Sequence, residues 1–199
     1  MPTFGPDELP PRDVYFLMTS IVVPRPIAWV GTTSAAGVHN LAPHSYFNII
    51  STAPPIVHFT SSGAKDTLTN VRATGEFTIS TVGRPLLDAM NTTAVDAPPE
   101  VSEFDHINVT KRMGQLVDAP YVAESPAVME CRVRTILSMG TGNMVFGDVL
   151  CFVVDDRVWG PDDRIDMAAM DPVGRLSGSQ YTMGDQVIKR PRPTWDDLR

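Results

Sequence analysis

The sequence predicts a mostly β fold in a single domain. Eighteen prolines and fourteen glycines are spread along the 199 residues, with short apolar runs between them, and this pattern is typical of many turns that join short strands. Apolar and charged residues alternate over residues 129–134, as in a strand with one solvated face. With 43% hydrophobic residues, a chain of this length can bury one good core. We therefore expect one domain over residues 1–199, with its core over about 14–181.

The first predicted elements are a short segment and a hairpin. Residues 14–23 suit either a helix or a strand, and the prolines of Pro24-Arg25-Pro26 block a helix beyond them. A strand over residues 27–33, a turn at Ala35-Ala36-Gly37 and a returning strand over residues 38–42 together predict a hairpin. Two antiparallel neighbours are therefore expected near the start of the domain.

Proline and glycine divide the segments that follow the hairpin. Residues 43–55 are predicted to form a loop, whereas residues 56–60 and 77–82 have the composition of strands. Residues 65–74, between these two strands, predict a short helix, and Gly75 is placed to end it.

The second half of the chain combines an irregular segment with long strands. Residues 84–125 are rich in Asp, Pro and Asn and predict a long excursion over the surface, with one helical turn near residues 86–90. Residues 144–154 predict a long strand, and the run Val149–Val154 is apolar on both faces. One side of that strand should meet the core and the other a further apolar layer, which a subunit interface would supply. The tail over residues 185–199 is expected to lie extended.

Charge and composition exclude several classes of function. A net charge of −7 repels polyanions, which argues against a nucleic-acid partner. The two cysteines, Cys131 and Cys151, lie in apolar stretches and favour a reducing compartment over a disulfide framework.

The acidic, proline-rich N-terminus does not resemble a signal peptide, and the sequence holds no apolar stretch of about 18 residues. The four histidines have no metal-ligand spacing. We expect a cytoplasmic protein without a metal ion or a membrane span.

The most informative segment is NLAPHSYFN, residues 40–48. Polar side chains stand beside large aromatics there, and the nearby prolines leave backbone amides free to bind a ligand. The alternative is a proline-pinned loop whose Ser, Thr and Asn side chains satisfy local turns. His44 is the candidate catalytic residue, either tuning a bound ligand or, as loop histidines often do, bonding only to backbone.

A second segment, SSGAKDT over residues 61–67, lies between a predicted strand and a predicted helix. Free N–H groups at a helix N-terminus, together with hydroxyls and the ammonium of Lys65, suit a phosphate. The same residue types are also ordinary N-caps, so this segment alone leaves both interpretations open.

Taken together, these segments resemble the flavin-reductase-like, FMN-binding split-barrel family. The resemblance extends over most of residues 14–181. It rests on Pro24-Arg25-Pro26-Ile27-Ala28, NLAPHSYFN, Ser51 with Pro54-Pro55, Lys65-Asp66-Thr67, Thr74-Gly75-Glu76-Phe77, Met90-Asn91, Glu103-Phe104, Glu124-Ser125-Pro126, and Gly174-Arg175-Leu176 with Tyr181.

The resemblance implies a six-stranded antiparallel Greek-key split barrel with a few flanking helices, in a homodimer that binds FMN near the subunit interface. It also implies cofactor-binding roles for particular residues. Those lining the isoalloxazine would be Ser45, Tyr46, Phe47 and Asn48, and those holding the ribityl chain and phosphate would be Ser51, Thr52, Lys65, Asp66 and Thr67.

Four further positions follow from the same resemblance. Arg25 would either pair with the phosphate or fix the end of its strand, and Asn91, Arg175 and Tyr181 are additional candidates for the site. This chain has Leu176-Ser177-Gly178 where relatives often have Leu-Gly-Gly. Since a serine resists positive φ, the backbone conformation at this turn is in question.

The function implied is the reduction of FMN by NADH or NADPH, with the reduced flavin passing to a monooxygenase or another acceptor. Two alternatives remain open. One is an FMN-containing electron carrier, similar to a flavoredoxin, that a partner protein reduces. The other is a split-barrel binding module without redox activity.

Overall fold

A computed structural model describes residues 1–184 and 186–199. Strands dominate it, and the largest group is an antiparallel sheet of seven strands. In chain order the strands are β1 Ala28–Thr33, β2 His39–His44, β3 Phe47–Thr52, β4 Pro55–Ser62, β5 Glu76–Ser80, β6 Lys111–Met113, β7 Pro120–Val122, β8 Ala127–Met139, β9 Gly142–Val154, β10 Val173–Arg175 and β11 Tyr181–Met183.

Short helices flank these strands. They are α1 Pro11–Ile21, α2 Asp66–Thr74, α3 Leu87–Thr92 and α4 Met167–Met170, with single 3-10 turns at Pro6–Glu8, Arg84–Leu86, Glu103–His106, Asp156–Val158 and Trp195–Leu198. Among the described residues, none of these helices combines the length and hydropathy needed to cross a membrane.

The seven-stranded sheet closes on itself at a corner formed by Ser45 and Tyr46. Its strand order is β2-β1-β5-β8-β9-β4-β3, so β2 and β3 form its two ends. Only the two corner residues separate these ends along the chain, and the ladder continues past them because Thr60 N donates to Tyr46 O at 2.8 Å. When β2 and β3 are counted as one bent strand, the sheet is a barrel of six strands.

The order of the strands is that of a Greek key. β1, the bent strand β2–β3 and β4 are consecutive neighbours, and β5 returns to pair with the free side of β1. Three consecutive strands with a fourth beside the first define this topology. The predicted mostly β, six-stranded antiparallel Greek-key barrel with a few helices is therefore confirmed.

Two apolar clusters hold the barrel and its coverings together. The first fills the barrel and contains Phe59, Phe77 and Val145, each fully buried. The second lies around Trp29 on β1 and includes Phe104 from the segment after α3.

Residues 84–125 were predicted to be a surface excursion, and this is wrong in part, because side chains of that segment complete the second cluster.

Local predictions were confirmed where the signal lay within one element. The hairpin predicted over residues 27–42 is the β1–β2 pair, and the helix predicted over 65–74 is α2. Gly75 ends α2 with φ 73°, in the left-handed region that glycine adopts without strain. Of the two alternatives for residues 14–23, the structure has a helix, α1.

Two predictions about irregular segments need correction. Residues 43–55 were predicted to form a loop, but β3 lies within them and pairs with β4. Residues 186–194 of the tail have no regular secondary structure, and the tail ends in a 3-10 turn at Trp195–Leu198. Asp185, the first residue of the predicted tail, lies outside the described residues.

Candidate functional site

A cleft of about 740 Å³ opens beside the barrel corner. One wall is formed by β2, the corner and the start of α2, and the other by the segment after α3 and by the β10–β11 hairpin. This volume lies within the range of small-molecule and cofactor sites.

Most of the residues predicted for a binding site line this cleft. They are Arg25, His44, Ser45, Tyr46, Lys65, Asp66, Thr67, Arg175 and Tyr181. Residues that are more than 150 positions apart in the sequence are thus brought together by the barrel and its β10–β11 hairpin.

The remaining predicted residues lie elsewhere. Beyond the corner, Asn48 Oδ1 accepts from Ile49 N at 2.8 Å and Ser51 Oγ accepts from Ala53 N at 3.2 Å. Thr52 lies on the same strand, and Phe47 packs against the cluster inside the barrel. These four predicted positions, and Asn91 as a fifth, are outside the lining of the cleft in this chain.

The start of α2 offers unpaired backbone donors to the cleft. The first backbone hydrogen bond of α2 is the one that Thr69 N–H donates to Lys65 O at 3.0 Å. Asp66, Thr67 and Leu68 precede it, and their N–H groups find no acceptor in the described part of the chain. Such groups and the positive end of the helix dipole favour an anion.

A buried polar network supports this first turn. Asn40 Oδ1 accepts from Thr67 Oγ1 at 3.0 Å, and Asn40 Nδ2 donates to Glu103 Oε1 at 2.9 Å. Glu103 is 4% exposed, and burial raises the pKa of its carboxyl. The network therefore joins the Thr67 side chain to β2 and to the 3-10 turn at Glu103–His106.

His44 lies in the cleft wall as a neutral imidazole. It is 8% exposed, and burial lowers its pKa to about 4. Its ring packs against Phe59 with 4.8 Å between ring centroids. No partner for Nε2 exists among the described residues, so this nitrogen is an unsatisfied polar atom of the kind that a bound group can pair.

Arg25 joins three segments at one end of the cleft. Its Nη1 donates to the carbonyls of Thr19 and Val22 at 2.7 Å each, and its Nη2 donates to Leu176 O at 2.8 Å. The carbonyls at the end of a helix lack hydrogen-bond donors within the helix. The Arg25 guanidinium donates to two of them at the end of α1. These bonds hold the end of α1 and the segment after β10, and a contact of Arg25 with a phosphate stays a prediction.

Arg175, Tyr181 and Asn91 form a chain of contacts at the rim. The Arg175 guanidinium lies 4.5 Å from the centre of the Tyr181 ring and also donates to the Tyr181 hydroxyl. That hydroxyl donates to Asn91 Oδ1 at 2.9 Å. The family resemblance predicted all three residues for the site, and in the structure Tyr181 contacts both Arg175 and Asn91.

The departure from Leu-Gly-Gly at residues 176–178 costs no backbone strain. The left-handed conformation of this turn lies at Gly178, with φ 57°, and not at Ser177. The Ser177 hydroxyl instead accepts a hydrogen bond from Ser20 Oγ of α1 at 2.8 Å. The serine therefore adds a contact between the turn and α1.

Comparison with known proteins agrees with this architecture. The sequence model of the flavin reductase like domain matches residues 18–162. The chain belongs to the flavin reductase-like family.

Solved structures of similar proteins extend the likeness over the whole chain. Nitrilotriacetate monooxygenase component B from Bacillus cereus is 30% identical, with a TM-score of 0.91 over 96% of this chain and 98% of that one. The 2-nitrobenzoate 2-nitroreductase NbaA from Pseudomonas fluorescens is 26% identical, with a TM-score of 0.90 over 98% of each chain. A protein with a split barrel domain from Shewanella frigidimarina is 22% identical and shares the fold, with a TM-score of 0.86 over 97% of this chain and 100% of that one.

Flavin mononucleotide, the cofactor implied by this flavin reductase-like family, fits the residues of the cleft. Its phosphate requires several donors, which the first turn of α2 and the Lys65 ammonium offer. Its ring carries hydrogen-bonding atoms on an apolar plane, and the unpaired His44 Nε2 lies in the wall of the same cleft.

Sequence reasoning missed two charged residues of the cleft, Glu103 and Asp96. Glu103 was noticed only as part of the family resemblance, and Asp96 was not noticed at all. Asp96 contacts Lys65 at 2.7 Å although 31 residues separate them. A residue that joins a site only through a tertiary contact produces no local sequence pattern. An alignment of flavin reductase-like relatives could have identified both residues.

Proposed function

We propose that this protein is an FMN-dependent oxidoreductase that uses NADH or NADPH to reduce its flavin. The observation that carries the proposal is the set of unpaired amides of Asp66, Thr67 and Leu68 at the start of α2. Lys65, Asp66 and Thr67 line a cleft of cofactor size there. Membership of the flavin reductase-like family and the oxidoreductase names of the similar structures support the same class of reaction.

Two parts of one wall, the start of α2 and the barrel corner, would share the binding of FMN. Thr67, Asp66 and Lys65 would bind the phosphate and the end of the ribityl chain, as the amides at the start of α2 suit an anion. Ser45 and Tyr46 would hold the flavin ring against the barrel corner. Bound FMN supplies hydride and electron transfer through its ring, and the protein supplies position and electrostatics.

His44 would act as a neutral hydrogen-bonding group. Because its pKa is about 4, the ring carries no charge at neutral pH and Nε2 can serve as donor or acceptor according to its tautomer. It therefore orients the bound group and is not a source of protons near pH 7. Its ring packs against Phe59, which fixes the orientation of the imidazole in the wall.

We further propose that the protein acts as a homodimer. The apolar run of β9 has one side against the barrel, yet Phe152 on that strand is 62% exposed. Covering such a side chain in a second copy of this chain removes it from water. The name of the Bacillus cereus protein, a monooxygenase component, supports an oxygenase as the acceptor of reduced flavin.

An anaerobic absorbance titration tests the proposed reaction. Purified protein is reconstituted with FMN and then titrated with NADH, and separately with NADPH. Loss of the visible flavin band on addition of either nucleotide is the expected result. A band that persists until dithionite is added would contradict the reductase and favour an electron carrier, and failure to retain any flavin would contradict both.

A further inference from the structure

An ion pair spans the cleft at the proposed phosphate end. Lys65 Nζ lies 2.7 Å from Asp96 Oδ1. Lys65 precedes the first turn of α2 on one wall, whereas Asp96 follows α3 on the other, and both line the cleft. Their side chains are 53% and 83% exposed, so the contact faces solvent and can exchange.

Three cations among the described residues line the cleft, Arg25, Lys65 and Arg175, and Lys65 is the one whose only hydrogen-bond partner is a carboxylate. Arg25 donates to three backbone carbonyls and to Ser45 Oγ, and Arg175 donates to Tyr181 and Gly178. The Lys65 ammonium has three donors, and its one partner among the described side chains is Asp96. A phosphate seated on the α2 amides would meet an ammonium that already has a carboxylate partner.

We propose that Asp96 is a specificity-determining residue that competes with the phosphate of a bound flavin for Lys65. This inference rests on the proposed function. The carboxylate neutralises Lys65 while the phosphate end of the cleft is free and repels the phosphate dianion when FMN enters. Asp96 therefore lowers the affinity for FMN. It does not lower the affinity for riboflavin, which has the same ring and no phosphate. The weaker binding of FMN favours a flavin that exchanges with solution over one that stays bound.

The expected size of the effect follows from the exposure of the pair. Exposed ion pairs alter an equilibrium by about one and a half- to fivefold. Salt screens such charges, since the Debye length falls from about 30 Å at 0.01 M to about 3 Å at 1 M ionic strength. Competition for Lys65 thus predicts a modest change in FMN affinity that disappears at high salt.

The test compares flavin affinities of Asp96→Asn and wild type. Apo protein is titrated with FMN and with riboflavin, and the Kd is read from the change in flavin fluorescence at low and at high salt. Asp96→Asn is expected to lower the Kd for FMN about one and a half- to fivefold at low salt, to leave the Kd for riboflavin unchanged, and to lose its effect at high salt. Asp148→Asn is the matched control, because it breaks an exposed ion pair with Arg134 at 2.8 Å outside the cleft.

Two results would overturn the inference while leaving the proposed function intact. One is an unchanged FMN Kd in Asp96→Asn, and the other is an equal change for FMN and riboflavin. A double-mutant cycle adds a third criterion, because Asp96→Asn should have a smaller effect when Lys65 is already Gln. If wild-type protein binds neither flavin, the proposed function itself fails and this inference fails with it.

Discussion

Glu103 Oε2 lies 2.9 Å from the backbone nitrogen of Leu41 and accepts its N–H. β2 pairs with β1 along its other edge, so the carboxylate takes the place that a neighbouring strand would occupy. The second oxygen accepts from Asn40 Nδ2. A single side chain from the 3-10 turn at Glu103–His106 thus satisfies two buried donors of β2.

Glu103→Ala should lower the free energy of unfolding substantially. It leaves Leu41 N–H and the Asn40 amide buried without their acceptor, at about 1–3 kcal/mol for each. Urea denaturation measures the change, and Glu100→Ala is the control because Glu100 is exposed and should change stability by less than about 0.5 kcal/mol. Equal effects of the two variants would contradict the role assigned to Glu103.

The contribution of Glu103 should also depend on pH. Burial raises its pKa in the folded protein, so the folded state keeps this proton to a higher pH than the unfolded chain does. The resulting stabilisation is complete below the ordinary pKa and is lost as pH rises through the raised value. The stability of wild type relative to Glu103→Gln should therefore fall with increasing pH in this range, and a rise would contradict the assignment.

His44 should make the protein sensitive to acid. Burial lowers its pKa from 6.5 to about 4, so between these values the unfolded chain binds a proton that the folded protein does not. Stability from this group is present above pH 6.5 and is lost as pH falls toward about 4, by about 3 kcal/mol in total. Urea denaturation at several pH values should show a flatter profile for His44→Gln, and the exposed control His106→Gln should keep the wild-type slope.

Thr93 should be needed for its hydroxyl and not for its volume. Trp29 Nε1 donates to Thr93 Oγ1 at 2.8 Å, and both side chains are buried. Thr93→Val keeps the shape but leaves the indole N–H unpaired, so it should lower the free energy of unfolding by about 1–3 kcal/mol. Thr93→Ser retains the hydroxyl and should recover most of that loss, and a serine variant as unstable as the valine variant would argue for packing instead.

Phe152 should control the oligomeric state. A glutamate in place of this 62% exposed side chain would put a charge into the proposed apolar interface, where an unpaired charge is costly. Sedimentation equilibrium should show a dimer for wild type and a monomer for Phe152→Glu. Phe4→Glu replaces another exposed aromatic, 53% exposed near the N-terminus, and should leave the dimer intact. A monomeric wild type would contradict the proposed homodimer.

What could be predicted from the sequence depended on whether the signal was local. The hairpin and α2 were predicted because turn residues and Gly75 lie next to the elements that they end. β3 was predicted to be a loop because Pro43, Pro54 and Pro55 surround it. Proline is tolerated at the first residue of a strand, and this is where Pro55 lies in β4.

For the candidate site too, residues in locally distinctive segments were predicted, and residues that act only through tertiary contacts were missed. Lys65 and the corner residues belong to segments that are unusual in themselves, and the family resemblance named them. Glu103 and Asp96 act only through contacts made by folding, with Leu41 and Lys65 respectively. Arg25 is a third case. It lines the cleft, but its hydrogen-bond partners, the backbone carbonyls of Thr19, Val22 and Leu176, could not be deduced from the sequence.

The barrel corner also constrains how the sequence of this protein can change. Ser45 and Tyr46 close the seven-stranded sheet and line the cleft at once, so an insertion there would open the barrel as well as move the wall. Residues 94–97 line the opposite wall outside any strand, and loops of this kind accept changes in length. New ligand preferences should therefore arise by changes in residues 94–97, while the corner keeps its length.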